Sequence, residues 1–158
     1  MSSAPVPRFT PAWEHALYPW LMENCEGLIA STLLRADSLD KTWAGRVDQP
    51  TALAAVLAAL SGKHTALRAV VLNDSHVLLY GIGTMWWNPT PMLIEQMFIR
   101  VARGDSTAAL AAIDLLAKSI GAHAIAFGTS LARNDAALSR LLGRAGYTLQ
   151  SHQLIKDI

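Results

Sequence analysis

The chain has 158 residues, 52% of them hydrophobic and 16% charged, with a net charge of +1 at neutral pH. That length supports one domain with a real core and is short for two, and the composition excludes disorder over most of it. The balanced charge, with no block of Lys or Arg, leaves little for electrostatic capture of nucleic acid, so no nucleic-acid partner is expected.

Residues 1–12 hold Pro5, Pro7 and Pro11 and little apolar pattern, and read as a flexible arm that orders only if it docks on something. Nothing there has the layout of a secretory leader, and no apolar run is long enough to span a bilayer. A cytoplasmic protein with no membrane partner is expected. The lone Cys25 excludes an intrachain disulfide and fits a reducing compartment, and the five scattered histidines lack ligand spacing, so no metal site is expected.

Trp13, Leu17, Trp20 and Leu21 suggest one helical face interrupted at Pro19, and Asp37 to Asp40 is a plausible helix start before Trp43 and Val47. "QPTALAAVLAALSGK" is a clearer helix, with Pro50 in its first turn and Gly62 past its end. "LRAVVLNDSHVLLYGIGTMWW" contains two apolar runs split by Asn73-Asp74-Ser75, which predicts an antiparallel hairpin. A turn is then expected at Asn88-Pro89-Thr90-Pro91, followed by the strand "LIEQMFIRV".

The loop Arg103 to Ala108 leads into a helix over about 107 to 119 that Gly121 closes. "HAIAFGTS" predicts a buried strand, "NDAALSRLLGRAG" a helix opened by Asn134 and stopped by Gly146, and "YTLQSHQLIKDI" a last strand. Strand, helix, strand with short connections implies a right-handed crossover and a parallel pair in an otherwise antiparallel sheet. The expected fold is α/β, a mixed and mostly antiparallel sheet flanked by helices.

Two features carry candidate chemistry. At Arg103 to Ala108, amides freed at a helix start make an anion site, and Gly104, Ser106 and Ala108 are small enough for close approach. The alternative is that Asp105 or Ser106 simply caps the helix. Adjacent Trp86 and Trp87, if on a strand, point to opposite faces, so one is core and the other lines a groove or an interface.

The hairpin, the strand "EQMFIRV", the loop "RGDSTA" with its helix, the strand "AIAFGTS" and the helix ending "RLLGRAGY" resemble the GNAT superfamily of acetyl-coenzyme A-dependent N-acetyltransferases. In character they are closest to small acetyltransferase-like proteins of tailed phages. The resemblance covers roughly residues 65–158, a cofactor-binding core splayed at the cofactor strand, with residues 13–64 as substrate-side helices of one domain spanning 13–158. Arg103 and Ala108 fit the family's loop signature, whereas Ser106 stands where the family has glycine.

The resemblance implies that Arg103, Gly104, Asp105, Ser106, Thr107 and Ala108 bind the pyrophosphate of acetyl-coenzyme A. It further implies that the main chain of Ile99 and Val101 pairs with the pantetheine arm, that Asn134 touches the same arm, and that Glu95 is the general base. Glu95 reads equally well as a solvent carboxylate, or as one paired with Arg100 or Arg103. The family's usual tyrosine acid falls at Leu142, which cannot donate a proton; water can replace it, because a thiolate is a good leaving group.

By the resemblance, the last strand or two of the usual fold are expected to be absent or to be supplied by a mate in a homodimer. The implied function is acetyl transfer to an unidentified amine by direct attack. The alternative is a catalytically weak protein of this fold that docks on a host protein through exposed aromatics, as small early phage proteins often do.

Overall fold

The computed structural model describes residues 5–34, 46–128, 135–150, 156 and 158. Its centre is a five-stranded sheet in the order β1-β2-β3-β4-β5, built from β1 (Phe9–Pro11), β2 (Arg68–Leu72), β3 (His76–Met85), β4 (Asn88–Arg100) and β5 (Ala124–Ala126). The first four are antiparallel to their neighbours, and β5 runs parallel to β4. A helix, α4 (Ser106–Ser119), makes the crossover between that parallel pair. Among the described residues no helix is long and apolar enough to cross a membrane.

The sheet is buried on both faces, which is why β2 and β3 read as nearly continuous apolar runs. On one face Val71, Val77, Leu79 and Met97 pack against α1 (Tyr18–Glu23), α2 (Cys25–Ile29) and α3 (Gln49–Leu60), which contribute Leu21, Ile29, Val56 and Leu60. On the other, Val70, Leu72, Leu78 and Leu93 meet Leu110, Ile113 and Leu116 of α4 and Leu142 of α5 (Asp135–Arg144). Each such buried Leu or Ile contributes about 2 kcal/mol relative to exposure.

Helix ends follow local chemistry. The Asp48 side chain accepts from the Thr51 amide at 3.2 Å and Pro50 sits in the first turn of α3. Gly121 (φ +73°) and Gly146 (φ +94°) follow α4 and α5 in the left-handed region, which costs glycine no strain.

Several expectations change. Pro19 sits in the first turn of α1 instead of interrupting a helix, because a first-turn amide needs no intrahelical acceptor. The turn between β3 and β4 is Trp86-Trp87, and the strand already begins at Asn88, paired with Met85. The register breaks between Gly83 and Met85, and β5 pairs only from Met92 onward, so Pro89 and Pro91 owe no ladder hydrogen bond. Residues 147–150 form no strand, while the expected helix start at 37–40 and residues 151–155 lie outside the described residues.

Phe9–Pro11, in the segment read as an arm, docks on β2 by pairing with Val70 to Leu72. The β2–β3 turn holds this segment down. Asn73 and Asp74 both have positive φ (48° and 59°), as a tight hairpin requires, and Asn73 Oδ1 accepts from the Arg8 amide at 2.7 Å. Asp74 takes the Arg8 guanidinium and, at 2.7 Å, His15 Nε2. Because His15 Nδ1 accepts from the Leu17 amide at 2.9 Å, Nε2 carries the proton and donates it to Asp74.

These bonds hold the Asp74 carboxyl below its ordinary value of 3.8, with the His15 hydrogen bond the largest cause and the Arg8 hydrogen bond next. A lowered acid contributes stability above its unfolded pKa and loses it as pH falls through the folded one. Thermal unfolding of wild type and Asp74→Asn is therefore expected to differ most near neutrality and to converge as pH falls below the ordinary value of 3.8 and through the lowered one. A gap that does not change with pH would contradict this tie.

Candidate functional site

Strands β4 and β5 are ladder partners only over Met92 to Ile94 and Ala124 to Ala126. Beyond that point β4 runs on to Arg100 paired with β3 only, so the parallel pair opens into a fork. The register against β3 slips at the same place: Leu79 faces Met97 but Tyr80 faces Glu95, which makes Gln96 the extra residue of a bulge. A bulge bends its strand and turns later side chains to the opposite face. Leu93 and Phe98 thus share a face, although they are an odd number of residues apart.

Glu95 sits at the apex of this fork. Its Oε2 accepts from the Gly128 amide across the gap at 3.4 Å. Burial pushes the carboxyl from 4.5 up to about 7, against the lowering effect of that amide. Among the described residues it makes no ion pair, with Arg100 and Arg103 included. One wall of the fork is aromatic: Phe98 of β4 meets Phe127 edge-on at 5.4 Å, and Phe127 meets Tyr147 at 5.8 Å.

At the far end of β4 the loop into α4 has two kinds of amide. Those of Val101 and Ala102 donate to the Ser75 carbonyl at 2.8 and 3.0 Å, and that of Thr107 donates to Asp105 Oδ1 at 3.0 Å, which makes Asp105 the N-cap. The amides of Arg103, Gly104, Asp105, Ser106 and Ala108 take no partner among the described residues and stand at the positive end of the helix dipole. Asp105 therefore caps, as one of the alternatives had it, and leaves five open donors in the loop, its own amide included.

The Val101 bond also corrects the expectation for the strand. An antiparallel ladder alternates, so a Val101 amide bonded to Ser75 turns the main chain of Ile99 toward β3 as well. Main-chain groups of Phe98 and Arg100 face the open side instead. Of Val101 only the carbonyl remains available, and Asn134 lies outside the described residues.

Beneath the loop is a buried polar relay that local spacing did not reveal. His76, at the start of β3, is 1% exposed and stacks on Phe98 at 5.1 Å. Its Nδ1 lies 2.7 Å from Ser75 Oγ and its Nε2 3.1 Å from Ser106 Oγ. Burial lowers its pKa to about 4, so the imidazole is neutral at physiological pH, with one nitrogen a donor and the other an acceptor. Ser106 thus anchors the loop to the hairpin. Thirty residues separate the partners, a distance at which no sequence pattern links them.

Leu142 is buried in the core and takes no part in the fork. Trp86 and Trp87 occupy the turn itself and are 92% and 65% exposed, so neither is core. Among the described residues no group of acidic, His or Cys side chains could hold a metal ion.

The sequence matches no family model and no curated protein. Solved structures match along nearly the whole chain. A possible acetyltransferase from Clostridium difficile 630 superposes with a TM-score of 0.62 at 11% identity, covering 98% of this chain and 99% of its own. The fold is that of these acetyltransferases. An aminoglycoside acetyltransferase from an uncultured soil metagenomic sample has a TM-score of 0.56 at 13% identity over 96% of this chain and 97% of its own. An integron cassette protein from the mobile metagenome of V. cholerae also reaches 0.56, at 10% identity over 98% of this chain and 94% of its own. At such identities the likeness is one of acetyltransferase architecture, and residue roles must be argued from geometry.

Proposed function

We propose that this chain is an N-acetyltransferase that binds acetyl-coenzyme A at the β4–β5 fork and transfers the acetyl group directly to an amine. The observation that carries the reading is the fork itself, with a proton-accepting carboxyl at its apex and a partnerless set of helix-start amides at its open end. The residues fit such a cofactor. Arg103, Gly104, Ser106 and Ala108 would hold the pyrophosphate with their amides, and the free main-chain edge of Phe98 and Arg100 would pair with the pantetheine arm.

When bound, acetyl-coenzyme A supplies a thioester carbonyl and a thiolate leaving group. The chain's own task is proton handling. An ammonium must lose a proton before its nitrogen can attack the carbonyl carbon, and Glu95, at about 7, is poised to take it near neutrality. Bonding of that nitrogen to the carbonyl carbon would release its second proton to solvent, and the thiolate, departing with the C–S bonding pair, would take a proton from water, since Leu142 has none to give.

Calorimetric titration tests the first half. Wild type is expected to bind acetyl-coenzyme A, and Arg103→Glu to bind at least about tenfold more weakly, because it sets a second carboxylate beside Asp105. No heat from wild type at millimolar cofactor would end this reading. Thiol release with a panel of amines tests the second half.

The exposure of Trp86 and Trp87, with Met85 beside them at 42%, favours a second reading. In it the protein keeps the fold and docks on another protein, a host enzyme in a phage setting, through this apolar turn. Cofactor binding with silence across a broad amine panel would support it.

A further inference from the structure

Where the end of α3 meets the start of β2 lies a cavity of about 230 Å3 that shares no lining residue with the fork or the helix-start loop. Its apolar side is Trp13, Gly62 and Leu67, and its polar side is His64, Thr65 and Arg68. Local chemistry shapes it without a ligand. Gly62 ends α3 at φ +72°, and the amides of Lys63 and His64 turn back to the Ala58 carbonyl at 2.8 and 3.2 Å. The backbone there passes so close to Trp13 that a Cβ on Gly62 would lie 2.9 Å from the indole. The ring is thus seated on the main chain, yet 45% of Trp13 stays exposed.

The polar side consists of donors. His64 Nδ1 accepts from the amides of Ala66 and Leu67 at 3.0 and 2.8 Å, so Nε2 carries the proton and is left to donate. Arg68 stands opposite Tyr80 across the β2–β3 ladder and hydrogen-bonds its side chain, which steadies the guanidinium. Among the described residues no carboxylate pairs with Arg68. Thr65 adds a hydroxyl. No Asp or Glu lines the cavity, Glu14 beside Trp13 included, and residues 49–72 contain none although they hold Lys63 and Arg68.

A fixed positive charge and two neutral donors therefore line one small cavity with an aromatic wall and no acid. The chemistry that matches them is a carboxylate, whose two oxygens only accept and which a guanidinium can bind with two parallel bonds. The volume lies below the roughly 300–1,000 Å3 of sites for drug-sized ligands, which limits the body of the ligand to about one ring. A flat ring suits an indole wall better than an aliphatic one does. We infer that this cavity binds a small aromatic carboxylate, with its oxygens on Arg68, His64 Nε2 and the Thr65 hydroxyl and its ring against Trp13.

The test uses benzoate, benzamide and cyclohexanecarboxylate, each titrated into the full 15N-labelled chain while amide and indole N–H shifts are followed. Benzoate is expected to move the Trp13 indole and the amides of residues 62–68. It should bind about tenfold more tightly than benzamide, which has the ring without the charge, and about threefold more tightly than cyclohexanecarboxylate, which has the charge without the ring. Arg68→Gln, at an exposed position, should bring benzoate and benzamide within about twofold. Thr65→Val should weaken benzoate about threefold, and Arg103→Glu in the helix-start loop should leave it unchanged.

Benzoate that moves no signal of Trp13 or residues 62–68, that binds no better than benzamide, or that keeps its preference in folded Arg68→Gln overturns the inference. Binding lost in Arg103→Glu and kept in Arg68→Gln does so too, since it puts the carboxylate at the helix-start loop. Equal binding of benzoate and cyclohexanecarboxylate overturns the aromatic class. None of these results bears on acetyl transfer, because the cavity and the fork have no lining residue in common.

Discussion

Glu95→Gln is expected to lower kcat/KM for amine acetylation by about a hundredfold or more, with acetyl-coenzyme A affinity little changed. Gln keeps the shape and can still accept from the Gly128 amide, so the loss isolates proton transfer. In wild type, kcat/KM should rise with pH through about 7, the value at which burial sets the carboxyl. In the variant that limb should disappear. A variant of unchanged rate, or one whose pH limb persists, would remove Glu95 from the chemistry.

The same substitution has a stability signature of its own. The folded pKa of Glu95, about 7, lies above its ordinary 4.5, so the folded state binds the extra proton between those values. The contribution is fully present below about 4.5 and is lost as pH rises through about 7, up to about 3 kcal/mol before solvent screening. Gln carries no charge to bury. Glu95→Gln should therefore gain thermal stability on wild type near pH 8.5 and show no such gain at about pH 4.

Gly104→Ala is the second large effect, and it reads on the loop. A Cβ at Gly104 would lie well inside 3.0 Å of Ser75 Cβ and Oγ. Ser75 cannot simply swing aside, because it is 2% exposed and its hydroxyl is bound to His76 Nδ1 at 2.7 Å. The clash is expected to cost about 1–3 kcal/mol of stability in urea unfolding and to displace the open amides, which weakens acetyl-coenzyme A binding about tenfold. Adding Ser75→Gly removes the obstructing atoms and should recover most of the stability, a coupling that a double-mutant cycle measures. A wild-type urea midpoint for Gly104→Ala would show that the close approach does not hold the loop.

Gly104 also shows how a residue can be identified correctly for an incomplete reason. From spacing it is small so that an anion can come near. In the fold its first constraint is the hairpin turn, which occupies the space where a side chain would go. Ser106 is similar: its departure from glycine looked like a loss, and the fold gives the hydroxyl a partner in His76. His76 could not be anticipated, since its meaning depends on two serines, one adjacent in sequence and one thirty residues on.

Much of the architecture was legible because it depends on short-range rules. The hairpin followed from Asn73-Asp74-Ser75 between apolar runs, α3 from Pro50 and Gly62 around an alanine-leucine run, and α4 from the cap candidates Asp105 and Ser106 and the closing Gly121. The Trp86-Trp87 turn was not legible, because two large aromatics carry no turn preference and the two prolines after them do. Only the pairing of Met85 with Asn88 moves the turn forward and exposes both rings.

By itself, then, the sequence determined α3, α4, α5, the sharp β2–β3 turn and a side-chain cap at the start of α4, since each arises from contacts within a few residues. The tertiary structure decided the site. Where β5 stops pairing with β4 and where Gln96 bulges both depend on distant segments meeting. Burial, which moves Glu95 to about 7, exists only once those segments have excluded water from its side chain.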